Sequence, residues 1–356
     1  MNDFRRRARN ALLGLALGDA IGWPTMFHRS RLLPAWTRRI RREMDAQREE
    51  AAILRIPIPF SLNQPAEIFD LCPTDDTEWA AWTMINLLNH GCNVEEGWLT
   101  GAWKSLAMDG TSIRGWVSTL AALDNIRRGV EPPFSGRDNP HYFDDGAMCR
   151  AVPIGIANCG EPATASRAAA LDASVTNFED GVWVAGAVAA AISTACAGEP
   201  VPSVIDAAVR ALPGESWSLR TVKNALTVSA EKPLELIVSL HGSFSPEYND
   251  GCVGPENLAV ALAIVSRLGG DFSSAVTTAA ALARGADTVP AIVGALCGAL
   301  ASENLVSGLW EQKLSHLRGI CFQSFSGLDY LQLVENFVET CFSRLYGKQD
   351  GVKDPE

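Results

Sequence analysis

The nine cysteines of this chain, at positions 72, 92, 149, 159, 196, 252, 297, 321 and 341, never pair as CxxC. Zinc knuckles and small disulfide frameworks need such spacing, so neither is supported. Thiols set mostly among Ala, Val and Leu read instead as small apolar residues in a reducing cytoplasm. Histidine is scarce too: five, at 28, 90, 141, 241 and 316, none in an obvious partnership with a thiol, and no GxSxG occurs. A nucleophilic serine or cysteine therefore has little support. Positive charge is in deficit, with 30 Lys plus Arg against 41 Asp plus Glu and a net charge of -11, which disfavours a broad grip on nucleic-acid phosphates. Six arginines do cluster in RSRLLPAWTRRIRR, 29–42, but acidic residues follow at once, the pattern of a solvated amphipathic helix.

What is abundant is helix-forming material. Hydrophobic residues make up 47% of the 356, charged residues 20%, and few runs alternate with period two. Helices are expected over 4–21, 76–89, 98–106, 112–127, 147–157, 163–173, 181–197, 203–212, 218–230, 255–268, 272–283, 289–301 and 328–346, with loops at 131–145 and 241–254. The expectation is one all-α domain over 1–346, an insertion or cap at 27–72, and a mobile tail at 347–356. Small residues recur every fourth position at Gly14, Gly18 and Gly22, and at Gly294 and Gly298. Glycine inside a helix costs about 1 kcal/mol against Ala, so such a stripe predicts that another backbone comes close.

Two segments imitate something else. The N-terminus is basic and then apolar like a signal peptide, but Asp19 interrupts it, and it is taken as mature sequence. GVWVAGAVAAAISTACAG, 181–198, is uncharged over nearly a membrane-spanning length, yet it is mostly Ala and Gly without basic flanks, which predicts a buried bundle helix.

Three stretches put carboxylates where packing does not ask for them: Asp19 in ALGDAIG, Asp75 and Asp76 in CPTDDTEWAAW, and Asp287 with Thr288 in RGADTVPAIVGALCGA. Each has a plain reading as a helix cap. Asp75 with Glu78 fits a capping box, and Asp287 or Thr288 suits the start of an apolar helix with Pro290 in its first turn. Together they offer hard oxygen donors of the kind Mg2+ or Mn2+ prefers, provided the two helix starts converge.

GLALGDAIGWP, TDDT, GAMCRAVPIG and GADTVPAIVGALCGA, in that order from Gly14 to Ala299, resemble the motifs of the ADP-ribosylglycohydrolase family. The resemblance implies an all-α orthogonal bundle with a cleft holding two Mg2+ or Mn2+ ions. It also implies hydrolysis of the glycosidic bond between ADP-ribose and a protein side chain or related acceptor. Carried over by position, Thr74, Asp75 and Asp76 are ligands of the first ion, with Asp75 and Asp76 central to catalysis. Asp287 bridges the ions and Thr288 holds the second. Asp19, the loop residues Asp145, Gly146, Ala147 and Met148, and Asn177 fall on substrate-binding positions. The expected partner is an ADP-ribosylated protein or a small ribosyl compound, with no nucleic acid or membrane, in the cytoplasm.

The chain departs from that pattern. Met26 and Gly285 stand where the family has carboxylates for the second ion, so one well-formed ion site is expected, the second being absent, water-rich or rebuilt. Asp144 and Asp145 replace uncharged residues in the loop that faces the diphosphate, where a carboxylate repels phosphate. A smaller nucleoside-like substrate, or a silent relative that binds without turnover, is the alternative. Tyr142 and Phe143 suit either core packing or stacking on a flat base, while Trp79 and Trp82 read as core.

Overall fold

The computed structural model describes residues 2–31, 50, 71–230, 232–243, 251–282, 285, 288–305 and 308–347. Sixteen α-helices form among them. In chain order they are α1 Asn2–Arg31, α2 Asp75–Asn89, α3 Glu96–Met108, α4 Val117–Arg127, α5 Phe134–Arg137, α6 Gly146–Ala157, α7 Pro162–Thr176 and α8 Asp180–Cys196. There follow α9 Val201–Ala211, α10 Trp217–Leu226, α11 Pro233–Leu240, α12 Gly254–Leu268, α13 Phe272–Ala281, α14 Thr288–Leu300, α15 Leu309–Leu314 and α16 Tyr330–Tyr346. Among the described residues the only β pairing is three isolated bridges, such as Asp144 with Val253. The all-α expectation holds.

The helical frame is built around two pairs of small-residue surfaces. The first joins α1 to α14, the most extensive helix contact among the described residues. A methyl on Gly14 would lie 2.1 Å from the Gly294 carbonyl oxygen, one on Gly18 1.9 Å from that of Pro290, and one on Gly298 2.2 Å from that of Asn10. Positions 10, 14 and 18 thus oppose 298, 294 and 290, an antiparallel crossing at backbone distance that only glycine permits. Such proximity sets Cα–H groups against carbonyl oxygens, each contact worth roughly 0.5–1 kcal/mol. The glycine stripe predicted this approach.

The second surface is α8, packed on α6, α7 and α9. Its Val184–Cys196 side is buried throughout, as a bundle helix rather than a membrane span; no described helix is long and apolar enough to cross a membrane. Trp79, Trp82 and Trp103 form an aromatic cluster between α2 and α3, with Trp79 and Trp103 stacked at 5.7 Å. The core reading of Trp79 and Trp82 is correct.

Several boundaries differ from expectation. The first helix continues through Pro24 to Arg31, taking in the first residues of the expected 27–72 insertion, most of which lies outside the described residues. The helix expected from 112 begins at Val117, because Ile113 pairs with Phe322 and Arg114 donates its N–H to the Cys321 carbonyl. Short α5, α11 and α15 arise in stretches taken as loops or left unassigned. The expected tail lies, beyond Gly347, outside the described residues.

Candidate active site

The site grows from three helix starts and the middle of α1. Asp19 is 1% exposed, and its carboxylate accepts from Thr74 N at 2.7 Å and Thr77 N at 3.1 Å. The hydroxyls of Thr74 and Thr77 also bond it. A residue of α1 thereby supplies the acceptors that the first turn of α2 needs. Asp19 is held at this helix junction, and its described hydrogen bonds all go to α2.

The capping box does not form. Thr74 is the N-cap of α2, and its hydroxyl caps none of that helix's backbone N–H groups. Glu78, buried in the first turn, turns outward from it and accepts N–H bonds from Ile320 at 2.7 Å, Cys321 at 2.6 Å and Phe322 at 3.2 Å. The distant loop takes the carboxylate because three aligned amide donors outbid one local N–H.

This arrangement leaves Asp75 and Asp76 at the head of α2, Asp76 fully buried and Asp75 half-buried. The Thr74 hydroxyl lies 3.2 Å from Asp75 Oδ1. Burial raises the proton affinity of Asp75, opposed by its own backbone N–H and by the Arg114 guanidinium. Burial and the neighbouring Asp75 charge push Asp19 up to about 7, against the pull of its threonine donors.

The start of α6 is reached by the loop carrying Asp144 and Asp145. Asp144 is consumed by the fold: it accepts from Ser118 N at 3.2 Å and Ser118 Oγ at 2.7 Å, from Asn177 Nδ2 at 3.0 Å and from Gly146 N at 3.2 Å. Asn177, fully buried, also donates to the Asp144 carbonyl and therefore serves as a brace for the loop. Burial still raises the Asp144 carboxyl above its ordinary range. Gly146 is required by Trp116, whose ring would lie 2.7 Å from an added methyl, and Ala147 and Met148 behind it are buried in α6. Below them Arg150 is completely buried, with Nε on Asp172 at 2.7 Å, Nη2 on Thr176 Oγ1 at 2.8 Å and Nη1 on the Gly146 carbonyl at 3.2 Å.

Asp145 is the N-cap of α6 but does not cap it. One carboxylate oxygen, Oδ2, accepts from Asn257 Nδ2 at 2.5 Å, and its backbone N–H reaches the Cys252 carbonyl at 3.1 Å. Burial first, then the Asp144 charge, push the carboxyl up to about 7, and the Asn257 amide and Thr288 hydroxyl pull it back. Thr288, the first residue of α14, is fully buried two positions from the Pro290 carbonyl on which Gly18 rests.

Helices α2 and α14 both pack on α6. Asp76, Asp75 and Asp145 all bear on the Cys149 thiol of α6, which burial and these charges raise well above its usual value. Among the described residues no group of three or more His, Cys, Asp or Glu is disposed to hold a metal ion. Asp287 lies outside the described residues, as does the side chain of Met26. The residues that sequence reasoning missed are Arg114, Ser118, Asn257 and the true role of Glu78. Ser118 and Asn257 join carboxylates 26 and 112 positions away, a distance over which local patterns carry no signal.

Beside the loop, half-buried Tyr142 and Phe143 meet edge to face at 5.3 Å, with Phe178 and Trp217 completing the group. Each ring keeps part of its surface open, so packing and exposure coexist.

Comparison with known proteins sets this geometry in context. No curated protein matches the chain. A solved structure described as an ADP-ribosylglycohydrolase-related protein complex is similar over 96% of this chain and 100% of its own, with a TM-score of 0.61 at 18% identity, a likeness of fold. The sequence profile described as ADP-ribosylglycohydrolase matches residues 1–346, the whole of the helical bundle. This chain belongs to the ADP-ribosylglycohydrolase family.

Proposed function

We propose that the chain hydrolyses a ribosyl glycosidic bond with the aid of a divalent cation, and that the glycone is ADP-ribose joined to a protein side chain or related acceptor. Family membership supports a glycohydrolase acting on ADP-ribose-type substrates. What supports the finer reading is that the side chains at the starts of α2, α14 and the α6 on which both pack are oxygen donors: Thr74, Asp75 and Asp76 at α2, Asp145 at α6 and Thr288 at α14. Hard oxygens without thiolate or imidazole suit Mg2+ or Mn2+. Thr74, Asp75 and Asp76 are the residues that would hold it, and a bound cation would orient ribose hydroxyls and lower the pKa of water.

The protein's own groups do the rest. Asp75, half-buried beside Arg114, is placed to take a proton from water attacking the anomeric carbon. Asp76, fully buried, is the second carboxyl at the head of α2. Asp19 positions both by fixing the turn they stand on. Because Asp144 is saturated by Ser118, Asn177 and Gly146, its charge is spread into the fold and repels a diphosphate less than a free carboxylate would. Tyr142 and Phe143 offer partly open rings to a flat base. The reading places the protein in the cytoplasm, acting on an ADP-ribosylated protein or small ribosyl compound rather than on nucleic acid or membrane.

A release assay with ADP-ribosyl-arginine, ADP-ribosyl-serine and simple nucleosides, with Mg2+ or Mn2+, tests this. Turnover that Asp75→Asn abolishes while helical content is kept is the expected result. The second reading, a relative that binds without turnover, draws on Met26 and Gly285; tight ADP-ribose binding with no release from any substrate would establish it in place of the first.

A further inference from the structure

Four of the thiols form one chain of neighbours. Cys341 of α16 lies beside Cys92, in the turn after α2, and beside Cys196, the last residue of α8; Cys196 in turn lies beside Cys159, just past α6. All four are buried. Within the group Cys92 and Cys341 are a pair, for their thiols share a hydrogen bond.

Two contacts side by side hold this pair together. Cys341 meets Cys92, and Arg344, three residues on, donates from Nη1 to Asn93 Oδ1 at 3.1 Å and from Nη2 to the Ala157 carbonyl. Cys92 itself stands at φ 59°, a left-handed conformation uncommon for any residue but glycine, and its N–H donates to the Leu87 carbonyl at 2.7 Å. The turn is thus pinned both by its own helix and by α16. Gly91 and Asn93 are exposed while Cys92 between them is fully buried, so the thiol is one residue from solvent on either side.

The two sulfurs differ in character. The hydrogen bond from Cys341 and the Arg344 guanidinium draw Cys92 toward the thiolate, against the opposing effect of burial. Burial instead holds Cys341 and Cys196 well above the ordinary thiol value and Cys159 at about 11. Arg344 Nε, also buried, has no hydrogen-bond partner among the described residues. A thiolate beside a cation, with a second thiol in contact, is the arrangement of an attacking and a resolving cysteine.

We propose that Cys92 and Cys341 are an oxidative modification site, a thiol pair that a hydroperoxide converts to a disulfide tying the turn after α2 to α16. In the first step the Cys92 thiolate attacks a peroxide oxygen. The O–O bond breaks, the sulfur becomes a sulfenic acid, and the departing hydroxide leaves as water with the proton that Cys92 gave up. The Cys341 sulfur then attacks that of Cys92, so that an S–S bond forms and the S–O bond breaks. The Cys341 proton leaves with the second hydroxide as water; two thiols lose two electrons and the peroxide gains them. Closure asks little movement, since thiols in hydrogen-bond contact need only approach to about 2.05 Å. In a reducing compartment such bonds are transient, which suits a sensor rather than a staple.

The test treats the full chain in native buffer with hydrogen peroxide, blocks the remaining thiols with N-ethylmaleimide in denaturant, and maps the peptides by mass. Two of the nine thiols are expected to disappear with a loss of about 2 Da, in a linked Cys92–Cys341 peptide pair that dithiothreitol separates. In Cys341→Ser, Cys92 is expected to stop at the sulfenic acid, which dimedone traps. In Cys92→Ser, oxidation at Cys341 is expected to slow more than about tenfold. Circular dichroism checks that each variant folds; should either fail, the wild-type map decides alone. Nine intact thiols, a Cys341–Cys196 link in place of Cys341–Cys92, or a link formed only after unfolding in urea overturns the assignment.

Discussion

The Asp19 carboxylate accepts the Thr74 backbone N–H at 2.7 Å, across 55 positions of sequence, so the start of α2 is capped by a residue of α1. The cap and the candidate active site are one construction: what holds the helix also sets where Asp75 and Asp76 stand.

Replacing that carboxylate loosens both. Asp19→Ala strands the Thr74 and Thr77 donors in a buried place, and a loss of about 2–4 kcal/mol is expected in urea unfolding. Asp19→Asn, which keeps one acceptor, is expected to lose less.

The α1–α14 contact predicts opposite outcomes for the same substitution. Gly18→Ala puts a methyl 1.9 Å from the Pro290 carbonyl oxygen, and the helices must separate; destabilisation of about 1–3 kcal/mol or more follows. Gly101→Ala, in the middle of α3 where an added methyl meets nothing within 4 Å, is expected to stabilise by about 1 kcal/mol. Thermal midpoints of the two variants, measured side by side, check the pair.

Arg150 and Asp172 form a buried ion pair at 2.7 Å, each nearly without exposure. Breaking it from one side leaves a buried charge alone, so Arg150→Met and Asp172→Leu are each expected to cost about 3–5 kcal/mol. The double variant is expected to cost much less than the sum, because neither charge is then stranded. Denaturant midpoints for the four proteins of the cycle measure the coupling.

Glu78→Gln removes the charge that three loop amides converge upon. A loss of about 1.5–3 kcal/mol is expected, with faster amide hydrogen exchange confined to Ile320, Cys321 and Phe322. Unchanged exchange at those three amides would count against the anchor.

The parts of the molecule legible in its sequence are those governed by local or periodic rules. Four-residue glycine spacing announced the α1–α14 crossing, since only a close backbone explains glycine in an apolar helix. The uncharged 181–196 stretch announced a buried helix for the same kind of reason. What misled was local chemistry with a distant owner. Asp75 and Glu78 have the spacing of a capping box, but Asp19 takes the cap and the 320–322 loop takes Glu78. Asp144 and Asp145 look alike in sequence; one is saturated by Ser118, Asn177 and Gly146, while the other has one oxygen held by Asn257, and Ser118, Asn177 and Asn257 lie 26, 33 and 112 positions away. Short α11 and α15 were missed because 8 and 6 residues are too few for a helical period to declare itself.

The reciprocal glycines of α1 and α14 bear on how such a chain can change over time. A methyl on Gly14 meets the Gly294 carbonyl oxygen at 2.1 Å, and one on Gly294 meets that of Gly14 at 2.0 Å. Neither position can drift first, because each single step closes the same gap from one side, and a second substitution opposite deepens the clash instead of relieving it. The seam is thus frozen as a unit, and the separation of the two helix axes is fixed by backbone rather than by side chains.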